Sequence, residues 1–256
     1  MKIAVMVKQV ADTAAKIELL PDASAVKLAG VQMVLNPYDE FAVEQAIRVK
    51  EAAGGEVVVF NLGPATADEA VKTALAMGCD RAVLLRDEAA LALDAAGVAA
   101  ALGAMIEREG GCELIFCGKQ ATDDDSHQVG PAVAQRLGLP AVTFITAFSL
   151  AGSEATVGRE ADGQRETLSV KLPALFSCQK GLNEPRYPSL PGIMQAGRKP
   201  RVTLTLAELG LSASPRVERR ALSAPPPRAA GKLMAGEIPA QVKQLVELLR
   251  SEAKAV

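Results

Sequence analysis

The sequence predicts an α/β protein: a doubly wound, mostly parallel sheet with helices on both faces, a β-hairpin extension and a C-terminal arm. Strand-like runs rich in Val, Ile and Leu recur at 2–8 (KIAVMVK), 56–63 (EVVVFNLG), 81–87 (RAVLLRD) and 113–118 (ELIFCG), with helical stretches between them. Such alternation of apolar runs and helices is what a parallel sheet covered on both faces produces. Further along, Asp162-Gly163 separates two strand-like runs in EATVGREADGQRETLSVKL, and that dipeptide favours the left-handed turn of a two-residue hairpin.

The helices are expected at 38–54, 65–78, the Ala-rich 89–108, and 126–138, with Gly54, Gly78 and Gly138 placed where a helix C-terminal glycine belongs. After Leu139 the pattern changes to AVTFI and then to the hairpin. A Pro-rich loop follows at 181–200 (GLNEPRYPSLPGIMQAGRKP), then an irregular tail containing SAPPPRAAG and an amphipathic helix at 239–256. Residues 1–200 therefore read as an α/β domain ending in the Pro-rich loop, and 201–256 as an arm with one helix. An arm of this composition cannot form its own core and needs another surface.

Composition narrows the function classes. A chain of 256 residues, 49% hydrophobic, can bury a large core. Its net charge of -2 and the lack of a long Lys/Arg run provide no field for nucleic acid. No segment is apolar for long enough to insert in a membrane, and MKIAVMVKQVADT has no targeting or cleavage pattern. The chain is expected in the cytoplasm of a prokaryote or an organelle matrix of a eukaryote. Cys79, Cys112, Cys117 and Cys178 are too scattered for a disulfide framework.

Ligands of doubly wound sheets bind outside the carboxyl ends of the strands. Four segments fall there: 7–13 (VKQVADT), 36–40 (NPYDE), 61–66 (NLGPAT) and 118–128 (GKQATDDDSHQ). The third and fourth segments, through GPAT and DDDS, lead directly into helices whose first N–H groups are free to attract phosphate. Neither a G-x-G-x-x-G after the first strand nor a G-x-x-x-x-G-K-[ST] loop is present, which disfavours an ordinary dehydrogenase or P-loop NTPase.

The three consecutive aspartates, Asp123 to Asp125, invite a metal reading. Side chains in an extended run diverge, however, and His127 is the only histidine in the chain, so no metal site is expected. Asp and Ser before a helix cap its N–H groups. The sharper alternative is a grip on a ligand by the N–H groups of residues 124–128 with Ser126 and Gln128; on the residues alone, capping stands ahead. No catalytic residue is expected, since His127 has no Ser or Cys partner by motif.

Taken together, VKQVADT, LNPYDEFAVEQAIRVKEAAGG, TALAMGCDRAVLL, GKQATDDDSHQVG, and READGQRETLSVKLPAL with GLNEPRYPSLPGIM resemble the β subunit of electron transfer flavoproteins. The resemblance runs in register from Met1 to about residue 200 and is weaker in the tail. It implies a heterodimer in which the α subunit holds the working FAD and this chain holds a nucleotide, usually AMP. The implied AMP contacts are Met6, Asn36, Pro37, Tyr38, Asp39, Leu62, Gly63 and the run Gly118, Lys119, Gln120, Ala121, Thr122, Asp123, Asp124, Asp125, Ser126, His127, Gln128 and Val129. Flavin dehydrogenases, such as acyl-CoA dehydrogenases, would dock on Leu190, with Ile193 and Met194 as further apolar anchors, and electrons would pass to a quinone-linked oxidoreductase. Glu160 matches a family glutamate that contacts the mobile FAD domain of the α subunit.

Two departures from the family pattern stand out. Ala11-Asp12-Thr13 replaces the tyrosine or proline-acidic turn of many members. DDDSHQ is similar to AMP-holding members, whereas QVGPAVAQRLGLP is similar to electron-bifurcating members, which carry a second FAD in the AMP site. An electron-bifurcating subunit and a stand-alone AMP-sensing module are the alternatives to the electron carrier.

Overall fold

The computed structural model describes residues 1–218, 220–227 and 230–255. Within the arm expected at 201–256, Arg219, Arg228, Ala229 and Val256 lie outside the described residues.

The strands are β1 (Lys2–Met6), β2 (Gln9–Ala11), β3 (Met33–Leu35), β4 (Glu56–Leu62), β5 (Arg81–Leu85), β6 (Leu114–Gly118), β7 (Ala141–Ala151), β8 (Glu154–Ala161), β9 (Gln164–Lys171), β10 (Ala174–Cys178) and β11 (Arg201–Leu204). The helices are α1 (Pro37–Ala53), α2 (Asp68–Met77), α3 (Ala95–Arg108), α4 (Val129–Leu137), α5 (Leu190–Ala196) and α6 (Ile238–Ser251). Nine strands form one sheet in the order β11-β5-β4-β1-β6-β10-β7-β8-β9, and β2 pairs with β3 separately. From β11 to β7 every pairing is parallel. The β7-β8-β9 end is antiparallel.

Burial on both faces explains the continuous apolar runs. Ile3 and Val5 of β1 enter one core layer with residues of α1 and α2, while Ala4 and Met6 enter the opposite layer with residues of α3 and α4. Each strand residue is thus covered by a helix whichever way it points. The hairpin between β8 and β9 turns on Asp162 (φ 50°) and Gly163 (φ 77°), both left-handed, as a two-residue turn matched to strand twist requires.

Local chemistry moves several boundaries. The stretch expected as one helix over 89–108 divides, because Asp94 is extended and its carboxylate accepts the Gly97 N–H at 2.9 Å. Residues 88–92 form a separate 3-10 turn, and α3 starts at Ala95. Helix α4 starts at Val129 rather than 126, since Asp125 (φ 47°) and His127 (φ 56°) are left-handed and cannot belong to a right-handed helix.

Two further differences concern the C-terminal third. The Pro-rich segment stays extended only as far as Ser189, whose hydroxyl accepts the Gly192 N–H at 3.1 Å and opens α5. Pro191 sits in the first turn, where its missing N–H is harmless. Arg201–Leu204, expected in the arm, instead pairs with β5 as the parallel edge strand, Arg201 opposite Ala82 and Leu204 opposite Leu85. Beyond it, α6 buries none of its residues and exposes Ile238, Val242, Leu245 and Val246.

Candidate functional site

Chain order reverses about β1: β1, β4 and β5 run to one side, and the chain then crosses to place β6 on the other. The crevice between the carboxyl ends of β1 and β6 is the topological switch point, where doubly wound sheets bind ligands. The end of β4 lies beside it, so the segments following β1, β4 and β6 converge there.

Asp39, in the first turn of α1, closes this crevice. Its Oδ2 accepts the Lys8 N–H at 2.8 Å and its Oδ1 the Gly118 N–H at 2.9 Å, joining the loops that follow β1 and β6. The residue is 5% exposed, and burial pushes its carboxyl up to about 7, against the opposing pull of the Lys8 and Gly118 N–H groups and the Asn36 side chain. A Cβ at Gly118 would sit 2.4 Å from Asp39 Oδ1 and 2.8 Å from Tyr38. Only glycine fits this close approach.

Asn36, buried just before α1, stitches the same loops. Its Nδ2 donates to the Gln120 carbonyl at 2.8 Å, its Oδ1 accepts the Thr122 N–H at 3.3 Å, and its own N–H reaches the Lys8 carbonyl at 3.0 Å. Pro37 occupies the first turn of α1. The Lys119 ammonium lies 4.8 Å from the centroid of the Tyr38 ring and 5.9 Å from that of Phe144. The His127 ring stands 5.4 Å from Phe144.

The three aspartates do not converge. Asp123 Oδ1 lies 2.8 Å and Asp124 Oδ2 3.3 Å from Lys8 Nζ, and Asp124 Oδ1 also accepts the Ser126 N–H at 3.1 Å. Asp125 instead pairs with the Gln120 side chain, and its N–H donates to the Ala121 carbonyl at 2.9 Å. Among the described residues no group of three His, Cys, Asp or Glu side chains could hold a metal ion. The carboxylates shape the loop, and Lys8 offsets their charge.

Several polar atoms on β4 and on the segments that follow β1 and β6 are buried without a hydrogen-bond partner: Thr122 Oγ1, His127 Nδ1, Gln9 Oε1 and Asn61 Oδ1. The last is unambiguous in orientation, because Asn61 Nδ2 donates to the Val7 carbonyl at 2.8 Å and leaves Oδ1 as the free acceptor. Buried acceptors and donors without partners are costly unless a ligand or water satisfies them. Met6 is buried in the core layer of α3 and α4, and Gly63, next to Leu62, turns toward α2 with its N–H on the Leu85 carbonyl at 3.3 Å. Val129 opens α4 and packs on that same layer.

Comparison with known proteins gives this geometry a family. A model described as the electron transfer flavoprotein domain matches residues 25–209. The chain is 40% identical to the electron transfer flavoprotein subunit beta of Bacillus subtilis over 260 residues, covering 100% of each chain. It is 42% identical to that of Bradyrhizobium diazoefficiens over 254 residues, 99% of each. A mitochondrial subunit beta of Arabidopsis thaliana is 40% identical over 260 residues, again 100% of each chain. The chain belongs to the electron transfer flavoprotein β subunits.

In this β subunit the residues expected to meet partners lie outside the crevice. Leu190, Ile193 and Met194 sit on α5, 79%, 54% and 78% exposed, preceded by Tyr187 at 95%. Glu160 is on β8, its carboxylate 3.5 Å from Arg165, at a shallow cavity of about 550 Å³ that Phe148, Gln179 and Lys180 also line.

Sequence reasoning selected the segments 7–13 and 61–66 of this β subunit but not Lys8 or Asn61 within them. Apolar-to-polar transitions at the strand ends were the available signal: Lys8 is the first charge after β1, and Asn61 the one polar residue in the run VVVFNL. Phe144, which is left-handed at φ 60° and supplies the ring facing Lys119 and His127, carried no sequence signal.

Proposed function

We propose that this β subunit holds AMP in the crevice between β1 and β6, anchors an α subunit that carries FAD, and docks flavin dehydrogenases such as acyl-CoA dehydrogenases through Leu190. Electrons would then pass by way of the α-subunit flavin to a quinone-linked acceptor. The flavin supplies the redox chemistry; this chain binds, positions and recognises. It is an electron-carrier subunit, acting in a cytoplasm or organelle matrix, and no helix among the described residues is long and apolar enough to cross a membrane.

The observation that carries the nucleotide reading is the set of unpartnered buried atoms, Thr122 Oγ1, His127 Nδ1 and Asn61 Oδ1, beside loops that Asn36 and Asp39 hold together. Such a set fits a polar ligand of modest size, whose own donors and acceptors would satisfy these atoms. AMP is favoured over a second FAD because Asp124 adds a side chain and a charge where a pyrophosphate would need room and positive surroundings. The exposed apolar faces of α5 and α6 favour a subunit with partners over a stand-alone nucleotide sensor.

Acid extraction of the purified heterodimer followed by chromatography tests the reading. One FAD and one AMP per dimer is expected. Two FAD and no AMP would replace it with the bifurcating alternative.

A further inference from the structure

The segment that carries Leu190 is held in place by a charge cluster on α1 centred on the buried Glu44. Arg186 donates through Nε to Glu44 Oε2 at 2.8 Å, through Nη2 to Glu44 Oε1 at 3.1 Å and Glu51 Oε2 at 3.0 Å, and through Nη1 to Glu51 Oε1 at 2.6 Å. Its backbone N–H adds a bond to Glu44 Oε2 at 3.2 Å. Arg48, one turn along the helix, meets Glu44 Oε1 at 2.6 Å and reaches the Glu184 carbonyl at 3.3 Å. Asn183 donates to the Phe41 carbonyl at 3.0 Å. Residues 41, 44, 48 and 51 form one stripe of α1 at helical spacing, so residues 183–186 are pinned along the helix.

The side chain of Glu44 is only 3% exposed. A carboxylate at that depth is tolerated when strong, bidentate partners satisfy it, and Arg186 supplies the fork. At the other end of the segment α5 presses on α2: a Cβ at Gly192 would lie 2.3 Å from the Ala76 carbonyl oxygen, and Lys199 Nζ binds the Leu75 carbonyl at 2.8 Å. Between these two anchors Tyr187, Leu190 and Met194 point outward. An exposed apolar segment on a free loop would sample many conformations, and a partner would have to order it on binding. Fixing both ends beforehand removes that cost.

We infer that Arg186, clamped by Glu44 and Glu51, is a positioning residue that presents the Leu190 segment in docking-ready form. This rests on the proposed docking of flavin dehydrogenases at Leu190. Its role is to lower the concentration of carrier at which donor and carrier meet, with no part in the electron-transfer step itself.

The test is steady-state reduction of the intact heterodimer by a purified acyl-CoA dehydrogenase, with heterodimer concentration varied. Arg186→Gln and Glu44→Gln should each raise KM for the heterodimer about tenfold while kcat at saturation and the extracted flavin and nucleotide stay unchanged. The double variant should be no worse than either single change, as expected for two halves of one contact. Glu51→Gln, at the exposed end of the fork, should give a smaller rise and supplies the reading should a Glu44 variant fail to fold. Leu190→Ala separates the outcomes. A raised KM for Leu190→Ala with unchanged KM for all three cluster variants discards the positioning role and keeps the docking reading. Unchanged KM throughout discards both. A fall in kcat or flavin content that accompanies any rise in KM also overturns the inference, leaving the cluster as fold support alone.

Discussion

The Asp39 carboxylate occupies the space that a side chain at Gly118 would need, and the Gly118 N–H binds the same oxygen that blocks it, at 2.9 Å. The glycine is thus fixed by a contact that also joins the carboxyl ends of β1 and β6. Gly118→Ala must displace Asp39, leaving a buried carboxyl group without its donors. Urea unfolding should report a loss of about 2–4 kcal/mol, within the range for a buried polar group stripped of its partners. A change below about 0.5 kcal/mol, that of a neutral surface substitution, would mean that the two loops are not joined this way.

The pair between Lys8 and Asp123 is of another kind. Both side chains are about 40% exposed, at 43% and 39%, so Lys8→Met should change stability by less than about 1 kcal/mol. The same substitution leaves the carboxylates of Asp123 and Asp124 without their cation beside the proposed AMP site. Calorimetric titration of AMP into nucleotide-stripped heterodimer should therefore show affinity weakened about tenfold or more, the effect of roughly one charge at partial screening. Equal affinity for AMP in variant and wild type would remove Lys8 from the site.

Glu44 gives the molecule an acid-sensitive contact. Burial works to raise its carboxyl, but hydrogen bonds from Arg186 and Arg48 outweigh it and hold the group below the usual carboxylate range. Glu51 is lowered too, by its hydrogen bond from Arg186. A depressed value means stability that is present above the unfolded-state value and is lost as pH falls through the folded one. The stability gap between wild type and Glu44→Gln should stay constant above about pH 5 and close as the pH drops below the carboxylate range. A gap that widens on acidification would contradict the ion pairing.

Leu190→Ala should slow reduction by a flavin dehydrogenase at low carrier concentration, by the loss of an anchor of about 1–3 kcal/mol at an interface centre. Flavin content should not change. Stopped-flow traces under second-order conditions measure this directly, and an unchanged rate constant would exclude Leu190 as the anchor.

Helix α6 exposes Ile238, Val242, Leu245 and Val246 along one side, a spacing that makes an apolar stripe which none of the described residues buries. The β subunit made without an α subunit should self-associate or lose stability, as read by light scattering against protein concentration. A stable monomer across the range would mean that this stripe needs no partner.

The parallel sheet was legible because each central strand is covered on both faces, so its residues are apolar without alternation, as in Ile3 to Met6. The hairpin was legible from Asp162-Gly163, and the candidate crevice from strand ends alone. Other features leave no local trace. β2 and β3 have three residues each and half-buried patterns. β11 lies at an edge, where Val202 is exposed, and directly follows a Pro-rich segment that reads as loop. The late start of α4 depends on left-handed Asp125 and His127, residue types that give only weak warning. Lys8 with Asp123 and Glu44 with Arg186 are separated by 115 and 142 positions, and no spacing rule connects residues so far apart.

The route of the chain from β10 to β11 has a consequence of its own. Those strands lie at positions separated by β6, β1, β4 and β5, five spacings of about 4.8 Å, or about 24 Å across the sheet. Residues 179–200 cover that span as a strap over α1 and α2, on which Tyr187 is 95% exposed. Connection through the strap keeps β11 at high effective concentration beside β5, with only the modest entropy of closing a loop to overcome. A single peptide-bond cut at Tyr187 would turn the edge strand into part of a second polypeptide, and the fold into a two-piece assembly whose integrity depends on dilution.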